Sequence, residues 1–347
     1  MIPQAVCNQF GLSNILSGEV LGQGLINSSY KITTSNGNAY FLQQINTLIF
    51  KNPMALQENY VLIEEHLSSH NSLLLPKLIR TITGELLYQQ NNQSWRCFAF
   101  IQNTYSPQTL DTPEQAYETA YCYGLFTAAL HDVDSNEVQT VLPRFHDLSY
   151  RFEEFTQALN NASQSVIADV ADLIAAIEKE QWLVSWFEKI KQDKTDFPLR
   201  ILHHDCKISN ILFDKITHAV RCPVDLDTTQ PGLFFSDIGD MMRTMVPDKD
   251  ENDKDSQGIR LRPPFFNAIT DGYLAAMSDH LTHEEKTELP KSGMAMTYMQ
   301  AMRFLTDHLN GNVYYKTEYA EQNKNRAANQ LQLLHLLQEY VKENYNS

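Results

Sequence analysis

Three features of this 347-residue sequence predict an α+β fold of two lobes, a β-rich N-terminal one and a mainly helical C-terminal one, with a cleft between. Short extended segments broken by turn residues fill roughly the first hundred positions, which sets the lobes at 1–103 and 104–347. Long helical periodicity takes over after about residue 107. A β-like island, Arg200 to Val224, interrupts the helices between Pro198 and Pro223.

Gly18 to Leu21 reads as extended, then a glycine-containing bend leads to a second extended segment, Ser29 to Thr34. Ser35-Asn36-Gly37-Asn38 is a hairpin turn, because Asn-Gly tolerates the positive φ that a tight turn requires. Ala39 to Gln44 is the returning strand. Asn52-Pro53 opens a helix, with Asn52 as cap and Pro53 in the first turn, running to about Ser68. Strands near Glu85–Gln89 and Trp95–Ile101 flank an Asn91-Asn92 turn. The later helices are expected at 113–131, 150–160, 164–194, 264–280, 293–310 and 326–345, with no internal repeat and no low-complexity tract.

Lys plus Arg number 27 and Asp plus Glu 42, a net charge of −15. So acidic a surface repels phosphate backbones and anionic membrane, and no local basic patch offsets it, so neither nucleic acid nor membrane is expected as a partner. Five scattered cysteines without a C-x-x-C pair suggest neither a zinc nor a dithiol site. The N-terminus lacks the pattern of a secretory signal, and no apolar run approaches membrane-spanning length, so a cytoplasmic protein is expected. The acidic stretch Asp248 to Asp255 fails as a calcium loop, having Asp253 and Ile259 where an EF-hand needs glycine and glutamate.

The chemistry is concentrated in Ile201-Leu202-His203-His204-Asp205-Cys206-Lys207-Ile208-Ser209-Asn210-Ile211-Leu212-Phe213. An apolar strand enters a polar loop and another leaves it, holding Asp205, Lys207 and Asn210 at fixed offsets. The chain returns as Cys222-Pro223-Val224-Asp225-Leu226-Asp227, and a hairpin of that length sets Asp225 beside Asn210. Two carboxylates, a carboxamide and a lysine then converge with no His or Cys ligand set. Oxygen donors from Asp and Asn suit Mg²⁺, which takes phosphate oxygens as its remaining ligands. Phosphoryl transfer needs this combination: one carboxylate deprotonates the attacking hydroxyl, while another and an Asn hold the metal. The D-x-K-x-x-N spacing is that of the protein-kinase catalytic loop, with His203 two residues before the Asp and Asp225-Leu226-Asp227 in the place of D-F-G. The motif set therefore reads as kinase-like, and the expected fold class is a protein-kinase-like two-lobed fold.

Gly22-Gln23-Gly24-Leu25-Ile26-Asn27 lies between two expected strands, where a nucleotide-covering loop belongs, with Asn27 in the third glycine's place. An ordinary glycine-rich turn is the alternative reading. The usual phosphate-binding lysine of the third strand is missing, since Phe41-Leu42-Gln43-Gln44 offers glutamine. Glu58, on the following helix, stands where a protein kinase's glutamate pairs with that lysine; without the lysine it has no assigned role, and the alternative is a surface glutamate.

At these residues the sequence resembles the aminoglycoside/choline kinase superfamily, and within it the N-acetylhexosamine 1-kinases. The resemblance covers most of the chain, including Gly22-Gln23-Gly24…Asn27, Tyr40 to Asn46, Pro143-Arg144-Phe145-His146-Asp147, His203 to Phe213, Asp225 to Asp240 and Met302 to Asp307. The glutamine at position 43 is part of that group's pattern. The resemblance implies ATP between the lobes, with its adenine at the backbone of Phe100, Ile101 and Asn103. It implies Asp205 as catalytic base assisted by Lys207, Asn210 and Asp225 as Mg²⁺ ligands, and Asp227 behind them. Arg303 and Tyr314 fall where that family binds the sugar; read without the family, Arg303 is a structural ion-pair residue. The family often carries His where this chain has Leu25, which bears on substrate preference.

His203 is expected to brace the loop, and His204 contacts substrate or nothing. His66, His70, His131, His280, His283 and His308 lack metal spacing and read as surface or capping residues. Tyr117, Tyr121, Tyr123 and Phe126 read as core, and Cys206 lacks a partner to activate it. The rival functions are a kinase of the same fold acting on another sugar, an aminoglycoside or choline; a nucleotide-binding pseudokinase; and a sulfatase, against which stands the absence of a C-x-P-x-R or S-x-P-x-R segment.

Overall fold

The computed structural model describes residues 3–21, 27–70 and 72–345. Gly22, Gly24 and Leu25 lie outside the described residues.

An antiparallel sheet dominates the N-terminal region. It contains β1 (Ile15–Val20), β2 (Ser28–Thr34), β3 (Ala39–Ile45), β4 (Leu78–Ile79), β5 (Tyr88–Gln90) and β6 (Gln93–Ala99), in the order β1-β2-β3-β6-β4 with β5 also on β6. The short helix α1 (Gln4–Gln9) covers one face, where Val6, Cys7 and Phe10 pack with Ile32, Leu42, Trp95 and Cys97. On the other face lies α2 (Pro53–Ser69), whose Tyr60, Ile63 and Leu67 meet Phe98 together with Phe126, Ile201 and Leu226 from further along the chain. That cluster joins the sheet to the helical region. Asn52 caps α2 as expected, accepting from the Ala55 amide.

The two-residue strand β7 (Thr104–Tyr105) leads into the helices α3 (Pro113–Ala129), α4 (Leu148–Asn161), α5 (Gln164–Asp169), α6 (Ala171–Lys179) and α7 (Trp182–Gln192). Then come β8 (Arg200–Leu202), β9 (Ile211–Asp214), β10 (Val220–Pro223) and β11 (Gln230–Gly232), and the helices α8 (Phe235–Met245), α9 (Pro263–Met277), α10 (His283–Glu288), α11 (Ser292–Leu309) and α12 (Gln322–Tyr345). α3 lies along α9, where a Cβ built at Gly272 would come 2.3 Å from the Tyr117 carbonyl oxygen. Only glycine permits that approach. α11 is buried nearly all round and packs against α8, α12 and α4, as a helix apolar on every side must.

The expected helix over 164–194 is three helices. Ile177 and Leu183 are both fully buried, yet on one continuous helix they would point about 120° apart. Breaks at Val170 and Gln181 turn each segment so that its own apolar side meets the core. α8 and α10 were not anticipated. Among the described residues no helix is long and apolar enough to cross a membrane.

Candidate active site

β9 and β10 form the expected hairpin, pairing Ile211 with Pro223, and the Val224 amide donates to the Asn210 carbonyl at 2.8 Å. The residue after Val224 is Asp225, so the hairpin brings Asp225 and Asn210 together as the spacing predicts. His203 ties the same elements. Its Nε2 lies 3.0 Å from the Val224 carbonyl, and its Nδ1 accepts from the Asp205 amide at 3.3 Å. One imidazole thus fixes the backbone at Asp205 relative to that leading into Asp225.

Asp205 is half-buried and held by two neighbours. Lys207 Nζ donates to its Oδ2 at 3.0 Å and Asn210 Nδ2 to the same oxygen at 2.9 Å. Burial pushes the Asp205 carboxyl up, but the Lys207 ammonium, with His203 and Asn210, outweighs it and holds the group below its ordinary range. Lys207 behaves conversely: burial disfavours its charge, while Asp205, Asp225 and Asp240 together raise it above the usual lysine value. Asp225 is reached by solvent yet crowded by protein, and that desolvation, followed by the like charges of Asp227 and Asp205, pushes its carboxyl upward. Its backbone is left-handed, at φ 63°.

Asp227, expected behind the metal ligands, is occupied otherwise. Arg96, Asn27 and Gln43 surround it in a buried network in which Arg96 binds both carboxylate oxygens and Asn27 Nδ2 donates at 2.8 Å. The sheet register explains this. Ser29 stands opposite Gln43, and Gln43 opposite Arg96, so three neighbouring strands present polar side chains in one row. Gln43 Nε2 donates to Ser29 Oγ at 2.9 Å and its Oε1 accepts from Arg96 Nε at 2.8 Å. β3 contributes no cation to this row, and Arg96 on β6 is the cation there, paired with Asp227. Glu58 lies outside this network, exposed and bonded to Gln139 Nε2 at 2.6 Å.

His204 offers no free ring nitrogen to a substrate. It is 4% exposed, with Nδ1 2.6 Å from Ser236 Oγ and Nε2 3.1 Å from the Gln230 carbonyl. A Cβ at Gly232 would lie 2.3 Å from its ring, so glycine there makes room for it. Asp237, fully buried on α8, accepts from the amides of His203 and His204 and fixes the start of the loop. Further along α8, Asp240 pairs with Arg243 at 3.0 Å, and burial pushes its carboxyl up to about 6.

Arg303 on α11 donates to Gln300 Oε1 at 3.1 Å, and its guanidinium carbon lies 5.8 Å from the Phe145 ring, 5.5 Å from Tyr315 and 5.9 Å from Tyr314. Tyr314 itself is two-thirds exposed, on a turn whose amides Asp307 holds. At the strand exit, the Phe100 amide donates to Ala39 and the Asn103 carbonyl accepts from Lys215. The Ile101 amide meets no partner among the described residues, which leaves an unpaired donor on this edge. Cys206 is buried, and that burial, with Asp237 and Asp240 nearby, pushes its thiol far above the reactive range. His66, His70 and Asp132 meet at the surface, where His66 Nε2 faces the last carbonyl of α3 at 3.0 Å and Asp132 at 3.1 Å.

Arg96, Ser236, Asp237 and His146, whose Nδ1 meets Ser236 Oγ, are the residues around the hairpin that sequence reasoning missed. Arg96 had a readable signal, a charge inside the apolar run Trp95-Arg96-Cys97-Phe98. The other three had none beyond lying in segments that resemble the kinase superfamily.

Known structures share this architecture. An aminoglycoside phosphotransferase from Alicyclobacillus acidocaldarius superposes with a TM-score of 0.67 at 15% identity, over 99% of this chain and 97% of that one. A spectinomycin phosphotransferase in complex with ADP and spectinomycin gives 0.63 at 14% identity, over 97% of each chain. An amicoumacin kinase in complex with AMP-PNP, Ca²⁺ and Ami gives 0.62 at 13% identity, over 96% of this chain and 93% of that one. At the level of sequence, the match to the Phosphotransferase enzyme family extends over residues 17–277, about three quarters of the chain, and this protein belongs to that family.

Proposed function

We propose that this protein transfers the γ-phosphoryl group of ATP to a hydroxyl of a small molecule, the acceptor being the anomeric hydroxyl of an N-acetylhexosamine. The observation that carries the reading is the convergence of Asp205, Lys207, Asn210 and Asp225 on one hairpin. Asp205, kept ionised by Lys207, is matched to accept the proton of the attacking hydroxyl. Lys207, charged beside it, is placed to meet negative charge as it develops on the transferring group.

Asn210 turns its amide nitrogen to Asp205, which leaves Oδ1 as a free oxygen donor. The Asp225 carboxylate meets no hydrogen-bond partner among the described residues, and desolvation with the like charges of Asp227 and Asp205 raises its proton affinity despite Arg96 and Lys207 nearby. These two hard oxygen donors fit Mg²⁺. When bound, a divalent cation neutralises charge on the β/γ-phosphate oxygens. Asp227, saturated by Arg96 and Asn27, is assigned no metal contact. Gly22, Gly24 and the Phe100–Asn103 edge are the nucleotide contacts in this reading, whereas Asn27 and Gln43, expected among them, are buried and bonded within the Arg96–Asp227 network and brace the sheet instead.

The acceptor class is supported by the resemblance to N-acetylhexosamine kinases and by Arg303 on α11, a cation standing among the rings of Phe145 and Tyr315. The test is ADP release from ATP and Mg²⁺ with N-acetylglucosamine, N-acetylgalactosamine, glucose, galactose, choline and kanamycin, the product phosphate being located by ³¹P NMR. Turnover of an N-acetylhexosamine to its 1-phosphate is expected. Turnover only of choline or kanamycin rejects the sugar while keeping the kinase, and nucleotide binding without turnover on a wider panel favours a pseudokinase.

A further inference from the structure

We infer that Nε2 of His146 is the hydrogen-bond acceptor that reads a hydroxyl of the phosphoryl acceptor beside Arg303, selecting a neutral polyol over an ammonium-bearing compound at that point. The inference rests on the small-molecule kinase reading and adds a selectivity device to it.

Counting protons leads to it. Ser236 Oγ lies 2.6 Å from His204 Nδ1 and 2.5 Å from His146 Nδ1, yet a hydroxyl has one proton to donate. His204 Nε2 faces the Gln230 carbonyl, which only accepts, so that nitrogen carries the ring's proton. Burial keeps His204 neutral, so its Nδ1 is bare and takes the Ser236 proton. Ser236 Oγ must then accept from His146, whose proton sits on Nδ1. Burial, with the charges of Arg303 and Arg151 nearby, keeps His146 neutral as well. Its Nε2 is left as a lone pair that meets no partner among the described residues, on a ring still partly open to solvent.

Arg303 is the natural second half of the pair. His146 stacks on Phe145 at 4.3 Å between centroids, and the guanidinium carbon of Arg303 lies 5.8 Å from the Phe145 ring. Arg303 only donates and His146 Nε2 only accepts, so together they match a hydroxyl, which does both. An ammonium only donates and would meet the Arg303 charge.

Two variants separate reading from scaffolding. H146N keeps a donor for Ser236 at the Nδ1 position and lacks the ε acceptor, whereas H146Q carries an amide at the ε position and loses the donor to Ser236. For the sugar that the wild type phosphorylates best, H146N should raise KM about three- to tenfold with kcat within about twofold, the scale of one neutral hydrogen bond, and H146Q should recover most of that loss. Circular dichroism and melting checks that both variants fold. Long-range ¹⁵N–¹H NMR of the free protein should show His146 with its proton on Nδ1, and the Nε2 resonance should move when that sugar is added. A proton on Nε2, or a KM unchanged in H146N, overturns the assignment while leaving the kinase intact. The reverse order, with H146Q the worse variant, assigns His146 to scaffolding. Turnover of kanamycin, choline or ethanolamine with all sugars inert overturns the selectivity but not phosphoryl transfer, and turnover of nothing overturns both.

Discussion

Arg96 Nη1 lies 2.5 Å from Asp227 Oδ1 and Arg96 Nη2 2.7 Å from Asp227 Oδ2, a two-point ion pair with 4% and 6% of the side chains exposed. It joins β6 to the segment just after β10, 131 residues away, so the N-terminal sheet and the β9–β10 hairpin share one buried charge pair. Asn27 and Gln43 complete it from either side.

Breaking this pair from one side leaves a buried charge unpaired, which costs about 3–5 kcal/mol. D227A and R96M should therefore each melt well below the wild type, while R96M/D227L, which removes both charges and keeps apolar volume, should recover much of the loss. Differential scanning calorimetry of the four proteins checks this. A D227A variant that melts with the wild type would show the pair to be dispensable.

Asp225 should behave in the opposite way from Asp227. Its carboxylate makes no ion pair or hydrogen bond among the described residues and is destabilised by its like-charged neighbours, so D225A should leave the melting temperature near that of the wild type. It should also abolish the binding of Mn²⁺, followed by electron paramagnetic resonance with and without ATP. Retained Mn²⁺ binding in D225A together with its loss in D227A would exchange the two roles.

Removing the base without changing its shape isolates the proton transfer. D205N keeps an oxygen for Lys207, and it should lower kcat by about 10² to 10⁴ with ATP affinity changed little. Steady-state kinetics and nucleotide titration measure the two terms separately. Turnover close to that of the wild type removes Asp205 from the chemistry.

The parts of the site that lie on one hairpin were legible because strand pairing converts sequence offset into distance. Asp205, Lys207, Asn210 and Asp225 sit where their spacing puts them. The parts that failed depend on contacts between distant segments. Two carboxylates in Asp225-Leu226-Asp227 look alike in sequence, and only the sheet register, which aligns Ser29, Gln43 and Arg96, shows that Asp227 is the one engaged. His204 was open to a substrate role because the sequence does not reveal that Ser236 and Gln230 enclose its ring. The 164–194 stretch contains no glycine or proline to announce a break, and the breaks come from where the core lies.

Acid should expose the contribution of Asp147, which holds the turn carrying His146. Its Oδ1 accepts from the Tyr150 amide at 2.9 Å, capping α4, and Lys191 reaches its Oδ2 at 3.0 Å. Burial alone would raise this carboxyl, but the Tyr150 amide, Lys191 and Arg144 outweigh it and hold it below the ordinary range. A depressed carboxyl stabilises the fold above its unfolded pKa of about 4, and the contribution disappears as pH falls through the lower folded value. D147N keeps a capping oxygen and loses the charge. The wild-type advantage in unfolding free energy over D147N should therefore be constant from about pH 7 to 5 and shrink below about pH 4. An advantage unchanged at pH 3 would assign it to shape rather than charge.

Asp237 should prove to be the residue on which the shape of the loop depends. Its two oxygens accept from consecutive amides, His203 at 3.0 Å and His204 at 2.7 Å, and no part of it is exposed. His204 is held at φ 67°, a left-handed conformation that costs a bulky residue about 1–3 kcal/mol and persists only where the surroundings impose it. In D237N one oxygen is replaced by an amide nitrogen that cannot accept, so one loop N–H loses its partner at a cost of about 1–3 kcal/mol. The backbone ahead of Asp205 then relaxes. kcat should fall by more than tenfold, with KM for ATP changed less, and hydrogen exchange at the amides of His203 and His204 should accelerate while α9 and α11 stay protected. Exchange that quickens equally throughout would mean that Asp237 supports global stability instead, and wild-type exchange with wild-type kcat would show that the loop holds its shape without it.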